Sequence, residues 1–272
     1  MNENIKILYI HGFHIFGESK KKKLFEKVVG KNNLLTIKLN TKRYISLFIL
    51  LFLFMTCVMS FNTYIAYRFS PTSFFVIMIL FSIVVLVIIY FIGSNLALYY
   101  ITKNSIRQAE QKLELHNPDI VIGIYFGAVI AMNLNYKNGK KPLILVSPSV
   151  KIFQKFTHNE KADLSLFPYV IIVNGSKDKT TTLKTCNELI STAHLGNGRV
   201  EVVDDNHSYS KIKGSDIRSW MKEVIYKPST CVLDVARKLK DESLGHKIII
   251  NENSYSEFSA LENENKETET LL

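Results

Sequence analysis

Cysteine is scarce in this chain. Cys57, Cys186 and Cys231 are the only three in 272 residues, and Cys57 lies inside an apolar run. An odd number this small, without metal-ligand spacing, argues against a disulfide framework and for a reducing compartment. No metal or other cofactor is expected. Helix-turn-helix, zinc-finger and aromatic-basic RNA-binding patterns are also missing. A net charge of +10 and a pI of about 9.3 therefore point to anionic lipid headgroups as partners, not to nucleic acid. The surplus is uneven: residues 251–272 carry six Glu and one Lys, a net of −5, which leaves about +15 on the first 250. The first apolar block begins near Tyr44, after a segment that already reads as folded domain, so no signal peptide is expected.

The longest absence is of charge itself. Residues 44–67 are 24 positions without Asp, Glu, Lys or Arg, and residues 69–102 are 34 more. A helix needs roughly 20 predominantly apolar residues to cross a bilayer. Phe69-Ser70-Pro71-Thr72-Ser73 between the two runs has the composition of a turn. The reading is a transmembrane helical hairpin, about 44–67 and 73–93, within residues 44–102. A pair of buried core helices is the duller reading, but such helices keep a polar face. The connecting loop holds a single Arg68, whereas Lys38, Lys42, Arg43, Lys103, Arg107 and Lys112 crowd the outer flanks. Basic residues collect on the cytoplasmic side. A two-pass integral membrane protein with both termini in the cytosol is expected.

What remains is two soluble pieces, residues 1–43 and 103–226. Residues 5–10 (IKILYI) form a strand candidate that runs into His11-Gly12-Phe13. Leu24, Phe25, Val28 and Val29 have helical spacing, and residues 34–39 (LLTIKL) make a second strand. This β-α-β opening predicts a mostly parallel sheet. A helix that continues out of the membrane is expected over 104–116, ended by Pro118. Further strands are expected at 143–146, 169–174 and 199–203, with helices at 180–193 and 209–226. Residues 151–168 read as a mixed loop with one short helix. Residues 227–250 form a C-terminal extension. Residues 251–272 are too polar to bury a core, and the acidic tail is expected to be disordered. Tyr255-Ser256-Glu257-Phe258 and Glu267 followed by Leu271-Leu272 resemble trafficking signals through which the tail would meet a protein partner.

The centre of the chain is Asp119-Ile-Val-Ile-Gly123-Ile-Tyr125-Phe126-Gly127, followed by a small apolar helical run. Glycines two residues either side of a central position, between a strand and a helix, have the form of a nucleophile elbow. The central residue of such an elbow is serine; here it is Tyr125. His11-Gly12-Phe13 follows the first strand, Ser147-Pro148 a middle one, and Asp178 and His207 each follow a later strand. In this order the landmarks resemble the α/β-hydrolase superfamily, particularly its small lidless bacterial esterases. The resemblance covers about 1–43 and 103–226 and leaves out the hairpin and the tail.

The resemblance implies a parallel α/β sheet with the hairpin inserted. It implies Asp178 as the orienting acid, His207 as the base, the backbone N–H groups of Phe13 and Phe126 as the oxyanion donors, and Tyr125 at the nucleophile position. Gly123 and Gly127 would let strand and helix approach closely. Asp204 and Asp205 compete with Asp178 as the acid but read better as turn residues. A phenol ring overshoots the oxyanion donors and fills the pocket, and a pKa near 10 makes it a poor nucleophile. A bulky residue at positive φ is also costly. The expectation is a membrane-anchored pseudo-hydrolase that binds a small-molecule, lipid or protein ligand. One alternative is an active hydrolase of lipid-like esters or thioesters with a non-serine nucleophile. A lower alternative is a hairpin-mediated membrane oligomer or effector. The Lys20–Lys23 run reads as a solvated helix face or a contact for anionic headgroups.

Overall fold

The structure, a computed structural model, describes residues 5–12, 20–69, 71–159 and 161–227. Phe13, the extension beyond residue 227 and the acidic tail lie outside the described residues.

Six strands form one sheet: β1 (Ile7–Ile10), β2 (Leu34–Thr36), β3 (Ile120–Ile124), β4 (Leu143–Val146), β5 (Val170–Gly175) and β6 (Gly198–Val203). Their order is β2-β1-β3-β4-β5-β6, and every pairing is parallel. This is the α/β sheet that the β-α-β opening predicts. Parallel strands are covered on both faces, so their sequences run continuously apolar; β1, β3, β4 and β5 are buried along their whole length. One face carries α1 (Lys20–Val29) and a helix over residues 214–227, which contribute Phe25, Ile217, Trp220 and Met221 to the core. The other face carries α4 (Phe126–Met132), α6 (Leu183–Ile190) and the end of a much longer helix.

That longer helix belongs to the crossover from β2 to β3. In place of a simple connection, the chain runs through α2 (Thr41–Phe69) and α3 (Thr72–His116). Both are long and apolar enough to cross a membrane. Their antiparallel contact is aromatic and close-fitting. Phe48 and Phe52 pack on Tyr90, Tyr67 packs on Phe75, and a Cβ on Gly93 would fall 2.5 Å from Phe48. Thr63 and Ser82 meet by their hydroxyls at 3.3 Å. Away from this seam the apolar side chains are exposed: Leu50, Phe54, Phe61, Ile77, Phe91 and Ile92 are each half exposed or more.

As the sequence suggests, the second apolar helix continues out of its apolar stretch, and α3 is continuous over 45 residues, about 67 Å at 1.5 Å per residue. Its last turns change character, not direction. Ile106, Ala109 and Leu113 recur at spacings of three and four and are buried against the sheet. Asn117, in the left-handed conformation (φ 40°), ends the helix by donating its N–H to the Leu113 carbonyl. Other bounds differ modestly. β2 stops at Thr36, α5 (Val150–Phe153) and a 3-10 turn (Gln154–Phe156) occupy the mixed loop, and the final helix starts at residue 214, not 209.

Candidate active site

In an open parallel sheet, chemistry collects at the C-terminal ends of the strands. Here β1 delivers His11-Gly12, β3 delivers Tyr125, β4 delivers Ser147, β5 delivers Asp178, and β6 delivers His207.

Tyr125 sits at φ 53°, ψ −111°, between β3 and α4. This is a strained conformation for a non-glycine residue. The flanking glycines permit it. A Cβ on Gly123 would lie 2.4 Å from Ala128 Cα, and one on Gly127 would lie 2.0 Å from the Ile10 carbonyl oxygen. The Tyr125 N–H donates to the Val146 carbonyl (2.9 Å), and its own carbonyl accepts from Ala128 N–H (3.2 Å). The elbow is thus intact with a phenol on its apex. Gly12 gives the ring room: a Cβ there would lie 2.6 Å from the ring.

The ring lies face to face with the His207 imidazole, centroids 4.3 Å apart and planes inclined by 27°. The phenol hydroxyl donates to the backbone carbonyl of His207 and accepts from Lys21 Nζ. The same ammonium sits 4.2 Å from the Tyr125 centroid and 5.1 Å from that of Tyr209. Burial pushes the Tyr125 hydroxyl well above its usual pKa, and the Asp178 and Asp205 carboxylates push the same way. Burial lowers Lys21 to about 8, against the pull of Asp205 and Asp178. Both shifts run toward the uncharged form, the direction in which desolvation acts.

The acid side is organised differently. His207 Nδ1 lies 2.9 and 3.1 Å from the two Asp178 oxygens. Oδ2 also accepts from Ser147 Oγ (2.7 Å) and Tyr209 OH (3.1 Å), and Oδ1 accepts from the N–H groups of Thr180 (2.8 Å) and Thr181 (3.1 Å). Burial on its own raises the pKa of this carboxyl. The combined donors, Ser147 and His207 first, outweigh that and hold it below the usual carboxylate value. The Asp178 side chain is fully buried, while that of His207 is 42% exposed.

Asp178, His207 and Tyr125 therefore converge. Phe126 begins α4, fully buried, with its ring edge-on to Phe153; its expected oxyanion partner Phe13 lies outside the described residues. Asp205 is a buried turn residue that accepts from Lys211 N–H (2.6 Å), and Asp204 is exposed and paired with Lys177 and Lys211. Neither touches His207 in any described hydrogen bond. Among the described residues, no group of three or more His, Cys, Asp or Glu is placed to hold a metal.

Three participants escaped the sequence reading. Ser147 (φ 49°) is more than a turn residue, because its hydroxyl serves Asp178. Tyr209 leaves the expected helix, takes φ 49°, and bridges Gly175 N–H to Asp178. Lys21 belongs to the lysine run, yet it points into the site while Lys22 pairs with Glu26 at 3.5 Å. One signal for Lys21 was present: with Leu24, Phe25 and Val28 it has the spacing of the buried face of α1.

Searches with the chain found no matching protein-family model and no matching curated protein. Among solved structures it is similar to Est1E from Butyrivibrio proteoclasticus, at 12% identity and TM-score 0.47 over 82% of this chain and 90% of that one. It is similar to a Bacillus cereus carboxylesterase at 14% identity and TM-score 0.43, over 82% and 90%. An α/β serine hydrolase homologue from Coxiella burnetii aligns at 12% identity and TM-score 0.41, over 82% and 84%. The architecture is read from this chain itself, whose parallel sheet and glycine-flanked elbow are of the α/β-hydrolase type.

Proposed function

We propose that this protein is a membrane-anchored pseudo-hydrolase, a binding module on an α/β-hydrolase scaffold that carries out no ordinary acyl transfer. The observation that carries this reading is the phenol of Tyr125, stacked on His207 and hydrogen-bonded to the His207 carbonyl and Lys21. An elbow nucleophile must hand its proton to the imidazole edge while attacking beside the oxyanion donors. Tyr125 instead lies across the imidazole face, and its hydroxyl is held protonated by burial. The two apolar helices anchor the domain, with the sheet on the cytosolic side, where the basic flanks of the hairpin lie. Ligands in keeping with this setting are lipids, small molecules and proteins met at the bilayer surface.

One observation favours a second reading. The Asp178–His207 pair is complete, and such a pair activates water in a hydrolase of lipid-like esters. Ester turnover separates the readings, and fluorophosphonate labelling reports whether a side-chain nucleophile is in place. Wild-type protein stays unlabelled under the first, and Tyr125→Ser gains labelling that His207→Ala removes. Ester turnover by the wild type that is abolished by His207→Ala overturns the first reading in favour of the second.

A further inference from the structure

A second feature lies on α3, where the helix leaves its apolar stretch. Thr72 to Gly93 is 22 residues of the helix, about 33 Å at 1.5 Å per residue, close to the ~30 Å of a hydrocarbon core. The polar pair Ser94-Asn95 follows directly. At this level a groove of about 480 Å³ is lined by Phe91, Ile92, Asn95, Leu96, Tyr99 and Phe156. Its helix side is a continuous stripe. Ile92, Leu96, Tyr99 and Lys103 follow at steps of four, three and four, which stacks them on one face. Its floor comes from the soluble domain, where the 3-10 turn packs on α3 and Phe156 is buried.

Cations stand at the rim. Lys103 Nζ lies 5.9 Å from the Tyr99 ring, and Lys155 Nζ lies 4.9 Å from the Phe156 ring. The lining itself is apolar apart from Asn95, and Lys103 and Lys155 stand beside its Tyr99 and Phe156 rings. Residues 93–109 of α3 and residues 150–159 contain Lys103, Arg107, Lys151 and Lys155, and no Asp or Glu. A tyrosine between an apolar stretch and a lysine is the arrangement of a membrane interface.

We infer that this groove seats one acyl chain of an anionic phospholipid, with the lipid phosphate held by Lys103 and Lys155. The chain runs from the Tyr99–Phe156 contact toward Phe91 and into the hydrocarbon, which no soluble ligand or peptide requires. This inference rests on the membrane anchoring proposed above. It differs from general attraction of a basic protein to an acidic surface because it assigns two lysines out of 34 basic residues and a defined apolar cleft.

The test uses the full chain reconstituted in vesicles of phosphatidylcholine, with or without phosphatidylglycerol carrying a photoactivatable acyl chain. Flotation of the vesicles reports anchoring, and mass spectrometry of the photolabelled protein reports the seat. Labelling is expected on the groove residues with the phosphatidylglycerol probe, and only weakly with a phosphatidylcholine probe bearing the same chain. Removing each lysine as Lys103→Ala or Lys155→Ala should lower it about 5-fold, in keeping with the worth of one basic residue near an anionic surface. Leu96→Trp, which fills the groove and leaves the charge unchanged, should abolish it, whereas Lys112→Ala and Lys179→Ala should leave it unchanged. Equal labelling by the two probes, or an equal loss in the Lys112→Ala and Lys179→Ala controls, overturns the inference while leaving anchoring intact. Crosslinks between two copies through Phe91 and Leu96 would show the groove to be a subunit interface and overturn it too. Failure to float with either vesicle overturns both the anchoring and the lipid seat.

Discussion

The two halves of the site obey different rules. On the acid side, Asp178 receives hydrogen bonds from Ser147 at the end of β4, Thr180 and Thr181 after β5, and His207 and Tyr209 after β6. On the nucleophile side, the elbow keeps its strained backbone but presents a ring that fills the space in front of the base. The contrast separates a hydrogen-bonded knot around Asp178 from a ring contact around Tyr125. A buried carboxylate with five donors ties three strand ends together, and removing it would orphan them. Tyr125 closes a smaller set, its hydroxyl joining the His207 carbonyl and Lys21 Nζ. An intact Asp–His contact is then weak evidence for catalysis.

The largest expected effect strikes both halves at once. Gly127→Ala would drive a Cβ to 2.0 Å from the Ile10 carbonyl oxygen, a backbone atom of the central sheet. The elbow cannot form around it, and a loss of about 4 kcal/mol or more is expected, as for severe overpacking. A protein with unchanged thermal stability would mean that the elbow is not as close-packed as described.

Asp178→Ala comes next and tests the acid half as a structural knot. Leaving its buried donors unsatisfied should cost about 3 kcal/mol. His207→Ala, at the more exposed end of the same contact, should cost about 1 kcal/mol or less. Equal costs would erase the proposed distinction between knot and pendant base. The pH dependence follows from the lowered Asp178 pKa. A carboxyl that is more acidic folded than unfolded contributes its full stability above the unfolded value, about 3.9. That contribution is lost as pH falls through the lower folded value. The melting-temperature gap between wild type and Asp178→Ala should therefore hold from pH 7 to 5 and close toward pH 2.

Smaller effects probe the nucleophile half. Tyr125→Phe keeps the ring and removes the hydroxyl bonded to the His207 carbonyl and Lys21, at a cost of about 1 kcal/mol. For Lys21, burial lowers the folded pKa to about 8, below its unfolded value. Between about pH 8 and 10 the unfolded chain binds the extra proton, so stability should rise with pH across that window. Lys21→Met should flatten this rise in a thermal-unfolding series, and an unchanged slope would place Lys21 in solvent.

Much of this was legible in the sequence because it depends on local pattern. Continuous apolar strands, the Gly123–Gly127 spacing and the two charge-free runs each report a short-range requirement of the backbone or of the bilayer. Asp178 and His207 each follow a strand that the sequence marks, β5 and β6, and meet beyond the strand ends. Ser147, Tyr209 and Lys21 were missed because their roles arise only where separate strand ends converge. The continuation of the second apolar helix out of its apolar stretch was legible as well, from the good helix formers over residues 104–116. Packing of Gly93 against Phe48 on one side and of Ile106, Ala109 and Leu113 on the other supports the helix through Gly93-Ser94-Asn95.

The most direct measurement is hydrolysis of a short-chain p-nitrophenyl ester in matched vesicles by wild type, Tyr125→Ser, His207→Ala and the Tyr125→Ser/His207→Ala double variant. The account predicts no turnover above background for wild type and for His207→Ala. It predicts measurable turnover for Tyr125→Ser that disappears in the double variant, since the acid–base pair is already in place. Turnover by the wild type that depends on His207 would contradict it and make Tyr125 part of a working catalytic site.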